Sequence, residues 1–358
     1  MLKKAIDTWS VNEIITLYGI KSKTAFFKAE KAGRIPSALR DSRKVRSWAL
    51  SDLPSIGAAY GFLSKPKNFE FTTICVFTAK GGVLKTTVSY ALARIFALHG
   101  LKVLIVGNDP QTSITGVTLN PLIQNKSLED LPAYQDLGAV IFDKVPIEEV
   151  VQKTNLPNLD LLPETSDLSD IGDSMGTLAA LAANKGKVNQ PRPRYKYFAD
   201  ILNKKIKEAG YDLAIYDNGP TLTILAENAL YGSDYWITPN GCDQGSYQVF
   251  ESNFNKVLQF AENVGKEWKK IFLVPTLKES TNLSLQIYGT YIGKYPGFVS
   301  QSSIRKTVKA QEALAMGLSP NEVFLDSELS QDFVALAKEI WSGIVKNNSR
   351  ILESANGN

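Results

Sequence analysis

The stretch Ala79-Lys80-Gly81-Gly82-Val83-Leu84-Lys85-Thr86-Thr87 constrains this chain more than any other. It follows Phe71–Phe77, a β-branched and aromatic run. It leads into Thr86–Leu98, where Val88, Ala91, Leu92, Ile95 and Phe96 fall on one helical face. A strand, a glycine-bearing turn and a helix in that order make a phosphate cradle. Backbone N–H groups and the positive helix end face the anion, and glycine lets the backbone come close. Lys85 can reach the β- and γ-phosphates of a nucleotide, and the Thr86 hydroxyl can ligate Mg²⁺. The strict pattern G-x-x-x-x-G-K-[ST] is not kept, because Ala79 and Leu84 stand at its two glycine positions. A second lysine, Lys80, precedes the Gly81–Gly82 pair instead.

The rest of the chain supplies the sheet that such a loop needs. Val103–Val106, Leu213–Tyr216, Tyr235–Thr238 and Ile271–Val274 are short apolar runs, the pattern of parallel strands covered on both faces. Helical stretches separate them, which predicts a doubly wound, mostly parallel α/β sheet. Functional side chains in such sheets gather beyond the C-terminal strand ends. Asp109 follows the second run and Asp217 ends the next, so both carboxylates belong at the phosphate end. Asp109 there can orient a water at the γ-phosphate, and Asp217 can hold Mg²⁺ through water. Ala182–Arg194 reads as an exposed loop, and Leu329–Leu352 as a closing amphipathic helix.

Composition removes several alternatives. One histidine, His99, leaves little material for Ser–His chemistry or a His-ligated metal. Two distant cysteines, Cys75 and Cys242, exclude a disulfide scaffold and fit a reducing compartment. No apolar run is long enough to span a membrane, and Met1–Ser10 lacks the apolar core of a secretory signal. The expected location is cytoplasmic.

Taken together, Lys80-Gly81-Gly82-x-x-Lys85-Thr86-Thr87, Asp109-Pro110-Gln111 and the strand ending in Asp217 resemble the deviant Walker A ATPases of the ParA/MinD family. The likeness runs over roughly Phe71–Trp341, and is nearest to long plasmid-type ParA proteins. It implies ATP and Mg²⁺ as cofactors, with Lys80, Gly81, Gly82, Val83, Leu84, Lys85, Thr86, Thr87 and Asp217 binding them, and Thr86 and Asp217 at the metal. It implies Lys80, Lys85 and Asp109 as the catalytic set, with Lys80 reaching across an ATP-sandwich homodimer. The implied role is a slow ATPase in DNA partition, nucleoid-associated and stimulated by DNA and a ParB-like protein. Three departures stand out. Leu84 replaces the glycine often found before the main lysine, Gly107 replaces the first aspartate of D-x-D-P-Q, and Asn218-Gly219-Pro220 keeps one proline of D-x-P-P. Gly107 and Leu84 motivate the alternative of a transcription regulator with a weakened ATPase; a positioning ATPase for a protein cargo is the other alternative.

Residues 1–66 form a candidate second domain ahead of an ATPase domain at 67–358, with Ser64–Asn68 as linker. Residues 1–70 carry 13 Lys and Arg against 6 Asp and Glu, while the chain as a whole is only +4. Such local excess points to phosphate backbone as a partner. Ser10 and Glu13 form a capping box for a helix that Gly19 ends, and Ser22 caps a second, Lys23–Ala32. This arrangement resembles a MerR-like winged helix-turn-helix. Lys21, Lys23, Thr24 and Lys28 would then meet DNA from the second helix, and Arg43, Lys44 and Arg46 from a wing. Lys294, Arg305, Lys306 and Lys309 are candidates for nonspecific DNA contact.

Overall fold

The computed structural model describes residues 8–119, 134–142, 144–184 and 193–356. The N-terminal unit comprises β1 (Thr8–Ser10), α1 (Val11–Tyr18), α2 (Lys23–Lys31), β2 (Leu39–Arg40), β3 (Arg46–Ala49) and α3 (Leu53–Tyr60). Its strands form a small antiparallel sheet in the order β1-β3-β2. Local chemistry sets its helix ends. The Ser10 Oγ accepts the Glu13 N–H and the Glu13 carboxylate accepts the Ser10 N–H, closing the capping box. Gly19 ends α1 in the left-handed region at φ 64°.

The body begins with β4 (Thr72–Val76), α4 (Lys85–Leu98), β5 (Val103–Asn108) and α5 (Ser113–Leu119). It continues through α6 (Leu137–Ile141), α7 (Ile147–Val150), β6 (Gln152–Lys153), β7 (Leu159–Leu162) and α8 (Leu168–Asn184). A π-helical turn, Phe198–Leu202, leads into α9 (Asn203–Glu208), β8 (Leu213–Asn218), α10 (Ile224–Gly232), β9 (Tyr235–Gly241) and α11 (Gln244–Val264). The chain closes with β10 (Lys270–Thr276), α12 (Asn282–Lys294), α13 (Lys309–Ala315), α14 (Pro320–Val323) and α15 (Glu328–Asn356). The segment expected to be a loop at Ala182–Arg194 instead opens inside α8, which runs on to Asn184; 185–192 lie outside the described residues.

The main sheet has seven strands in the order β10-β9-β4-β8-β5-β7-β6, parallel except for β6 at the edge. Every residue of β4, β5, β7, β8 and β9 is buried, as the apolar runs require of strands covered on both faces. Helices α4 and α15 pack on one face, and α8 to α12 on the other. Order β9-β4-β8-β5 places the ends of β4, β5 and β8 together, so Lys85, Asp109 and Asp217 share one edge of the sheet.

The N-terminal unit joins the α4 side through one continuous apolar cluster. Ile14, Trp48, Leu53 and Ile56 belong to the same buried group as Leu98, Leu101 and Trp341. The Tyr18 hydroxyl donates to both the Leu53 and Leu98 carbonyls, at 2.7 and 2.9 Å. The His99 ring lies edge-on to Tyr18 and against Phe62.

Candidate nucleotide site

The loop after β4 is held from three sides. Asn253 on α11 donates to the Ala79 carbonyl at 2.7 Å, and the Thr276 hydroxyl at the end of β10 donates to the Val83 carbonyl at 3.2 Å. From within, the Lys85 ammonium donates to the Lys80 carbonyl at 2.7 Å. Gly82 and Leu84 both have positive φ, 75° and 67°. A β-carbon in the left-handed region costs about 1–2 kcal/mol, which explains why a glycine suits position 84 and makes Leu84 a strained exception. Leu84 also caps α4, so the strain sits where the helix N–H groups begin to point at the loop.

Asp217 is fully buried at the end of β8. Its carboxylate accepts the Thr86 hydroxyl at 2.9 Å and the Ser89 hydroxyl at 2.6 Å. Burial pushes its pKa up to about 6, against the two hydroxyls and Lys85, which favour the charged form. Burial also lowers the Lys85 pKa, partly offset by the charges of Asp217 and Asp109. These groups gain by having a counter-charge brought to them. Thr86 and Asp217 form a hard-oxygen donor pair of the sort Mg²⁺ takes. Among the described residues no group of three His, Cys, Asp or Glu could hold a metal. The donor set fits an ion that keeps waters and phosphate oxygens as its other ligands.

Asp109 stands just past β5, part-exposed. Its Oδ1 accepts the Gln111 N–H at 3.1 Å, and a β-carbon on Gly219 would come within 2.9 Å of that same oxygen. The residue after Asp217 is buried too: the Asn218 amide donates to the Val76 carbonyl and its Oδ1 accepts from Asn108, locking the ends of β4, β5 and β8 together. Ser89 and Glu164 are site neighbours that the sequence patterns did not flag. The Glu164 carboxylate accepts N–H groups from Asp109, Ile114 and Thr115. Burial, followed by the nearby Asp217 charge, pushes its pKa up to about 8 against those three donors.

Lys21, Lys23, Thr24 and Lys28 are exposed on and just before α2. Arg43 and Lys44 are exposed at the β2–β3 turn, with Lys44 at φ 61°. Arg43 lies 3.5 Å from the Asp41 carboxylate, and Arg46, half-buried, lies 3.6 Å from the Glu30 carboxylate and over the Phe27 ring. Lys294, Arg305 and Lys306 pair with Glu251, Asp332 and Glu279, whereas Lys309 stands near the Phe324 ring.

Comparison with known proteins gives the arrangement its lineage. Residues 71–270 match the family described as AAA domain (AAA_31). Chromosome partitioning protein ParA of Caulobacter vibrioides is 24% identical over 271 residues, 75% of this chain and 93% of that protein. Protein SopA of Escherichia coli K12 is 27% identical over 272 residues, 73% of this chain and 66% of SopA. The chain belongs to the ParA/MinD family of P-loop ATPases. A solved structure described as Partition Protein has a TM-score of 0.64 at 16% identity and covers 96% of this chain and 93% of its own. That likeness is one of fold, and its coverage extends the shared fold of this family member into the N-terminal unit. No helix among the described residues is long and apolar enough to cross a membrane.

Proposed function

We propose that this chain is an ATP-dependent DNA-partition ATPase that cycles between a nucleotide-free form and an ATP-sandwich homodimer. The observation that carries the reading is the convergence of Lys85, Thr86 and Asp217 at a loop that also bears Lys80. Lys85 takes the β- and γ-phosphates, and Thr86 with Asp217 holds Mg²⁺, which supplies charge neutralisation at the phosphates. Asp109 orients the attacking water. The backbone of Lys80 serves the loop, its carbonyl accepting the Lys85 ammonium and its N–H donating to the Thr78 carbonyl, and its own ammonium is left for the partner's nucleotide. A cation supplied across the interface makes dimerisation depend on the γ-phosphate, and ATP becomes the switch. The names of the similar proteins support chromosome or plasmid partition as the process, and by extension a ParB-like partner that stimulates turnover on the nucleoid.

Residues 1–66 are proposed as the operator-binding winged helix-turn-helix, with 67–358 as the ATPase domain. The exposed Lys21, Lys23, Thr24 and Lys28 face solvent where a major-groove helix requires them, and the β2–β3 turn offers Arg43 and Lys44 as a wing. Arg46, half-buried between Glu30 and the Phe27 ring, is the weakest candidate. Nonspecific DNA binding belongs to the ATP-bound dimer, with Lys309 the least encumbered of the basic candidates there. A second reading, a regulator with weakened turnover, is motivated by Gly107 and the strained Leu84; DNA-stimulated phosphate release separates the two.

The experiment is Lys80→Ala in light scattering with a non-hydrolysable ATP analogue. The variant is expected to bind nucleotide and remain monomeric where the wild type dimerises. A stable ATP-bound dimer of the variant, or a wild type that stays monomeric, contradicts the proposal.

A further inference from the structure

Gly107 and Glu164 share one place in the fold. Strands β5 and β7 are parallel neighbours with Val106 opposite Leu162, so their chains leave the sheet side by side. A β-carbon on Gly107 would lie 2.7 Å from the Glu164 Oε2 and 3.0 Å from its Cβ and Cδ. The Glu164 side chain therefore fills the space into which a side chain at 107 would grow. Gly107 is paired across the sheet with Asp217, so that space adjoins the nucleotide end.

From there Glu164, 2% exposed, reaches the segment that carries Asp109. Its Oε2 accepts the Asp109 N–H at 3.1 Å. Its Oε1 accepts the Ile114 and Thr115 N–H groups at 2.8 and 3.3 Å. The Glu164 N–H in turn donates to the Thr115 hydroxyl at 3.0 Å. One carboxylate thus ties both ends of the turn between β5 and α5, and the backbone of Asp109 is fixed directly.

We propose that Glu164 is a positioning residue for ATP hydrolysis: it supplies from just past β7 the carboxyl group that β5 lacks at Gly107, and so holds Asp109 at the angle that turnover needs. The inference rests on the assignment of Asp109 to hydrolysis made above. Its physical basis is that a displacement of about 1 Å in a reacting group can lower a rate on the order of 100-fold. Phosphate binding at the loop after β4 does not pass through Glu164 and is left intact.

The test is a reciprocal exchange read in two assays, affinity for a fluorescent ATP analogue and single-turnover phosphate release. Glu164→Ala should bind the analogue within about threefold of wild type and release phosphate at least about tenfold more slowly. Gly107→Asp alone should also be slow, because its side chain meets Glu164. The double variant Gly107→Asp/Glu164→Ala should recover to within about threefold of wild type. A purely structural role would lower the melting temperature without this split between rate and affinity, and without rescue. Wild-type turnover in Glu164→Ala overturns the proposal, as does a double variant no faster than Glu164→Ala. Should Glu164→Ala fail to fold, Glu164→Gln decides, since it keeps the shape but turns an NH₂ towards backbone donors. A folded Glu164→Gln with wild-type turnover overturns the proposal, and failure of both variants to fold assigns Glu164 to the fold alone and overturns it too. Asp109→Ala in the same assays separates the layers. If it turns over normally, the assignment of Asp109 itself fails; if it is inactive while Glu164→Ala is normal, only the present inference fails.

Discussion

Gly57→Ala should destabilise this protein, although within α3 alone it should do the opposite. Alanine is favoured over glycine in a helix interior by about 1 kcal/mol. The new β-carbon, however, would stand 1.9 Å from the Leu98 carbonyl oxygen and 2.8 Å from the Tyr18 ring. Carbon and oxygen make contact at about 3.3 Å, so α3 must withdraw from the end of α4 by more than an ångström. Both obstacles are firm: one is backbone, and the other is a ring whose hydroxyl is bonded to Leu53 and Leu98. Overpacking of this kind costs about 1–3 kcal/mol. Loss of the two Tyr18 hydrogen bonds adds about 1 kcal/mol each. Net of the helix gain, docking of the N-terminal unit should weaken by about 2–4 kcal/mol. Guanidinium unfolding measures the loss, and limited proteolysis at Ser64–Asn68 reports where it falls. The seam lies at the far end of α4, about 20 Å along the helix from Lys85, so ATP-analogue binding should be retained. A variant as stable as wild type, with an unchanged cleavage rate, would refute the reasoning that Gly57 is required for α3 to lie against the end of α4.

Three further outcomes are expected. Asp217→Asn should remove a buried charge whose pKa is raised to about 6, stabilising the nucleotide-free protein at pH 7 by up to about 3 kcal/mol; calorimetry should show this while Mg²⁺-dependent ATP-analogue binding falls at least about tenfold. Glu164, raised to about 8 from 4.5, holds its proton more tightly when folded, so its contribution is full below pH 4.5 and is lost as pH rises through 8. Between pH 6.5 and 8 the wild type should lose about 2 kcal/mol relative to Glu164→Gln, and parallel stability curves would remove the assigned cause. Lys23→Ala combined with Lys28→Ala should weaken operator binding and flatten its salt dependence by about 0.9 log unit for each phosphate no longer neutralised, with DNA-free ATP turnover unaltered; an unchanged footprint would remove α2 from the DNA interface.

Several parts of this architecture were legible because they are written locally. The Ser10–Glu13 capping box, the Gly19 terminator and the strand–loop–helix around Lys85 each depend on residues within a few positions of one another, and the structure forms all of them. Buried parallel strands read as apolar runs for the same reason, although β5, β8 and β9 extend two or three residues beyond their runs and β4 stops one residue short of its run at each end. β7 does not read as an apolar run. Leu159–Leu162 carries Asp160 in its middle, and only the tertiary fold shows that this carboxylate is answered by Lys153 and Tyr211. With that strand went Glu164, whose role depends on β5 and β7 being neighbours. The seam was hidden likewise: Ser64–Asn68 has a linker's composition, but composition cannot reveal that Gly57 and Gly61 press against Leu98 and His99.

The departures from the family pattern separate into two physical kinds. Leu84 packs against the core on the α4 side, yet it adopts the left-handed backbone that a glycine would adopt freely, and it carries that strain at the start of α4. Gly107 is different, because what it lacks is matched by an excess elsewhere. An aspartate at 107 could not coexist with Glu164 in its present position, since its first side-chain atom would already be in contact with that carboxyl. A glycine on β5 and a glutamate just past β7 are thus one structural choice made at two positions separated by 57 residues. Read from the sequence alone, Gly107 is a missing carboxylate; in the folded chain a carboxylate is present in that space, entering from the neighbouring strand and bonded to the backbone of Asp109. Losing the first aspartate of the D-x-D-P-Q pattern is therefore no argument by itself for a decayed ATPase. The strain at Leu84 is the departure that would have to carry such an argument, and it lies in the loop proposed to bind phosphate, so its consequence belongs first to nucleotide affinity and only through it to turnover.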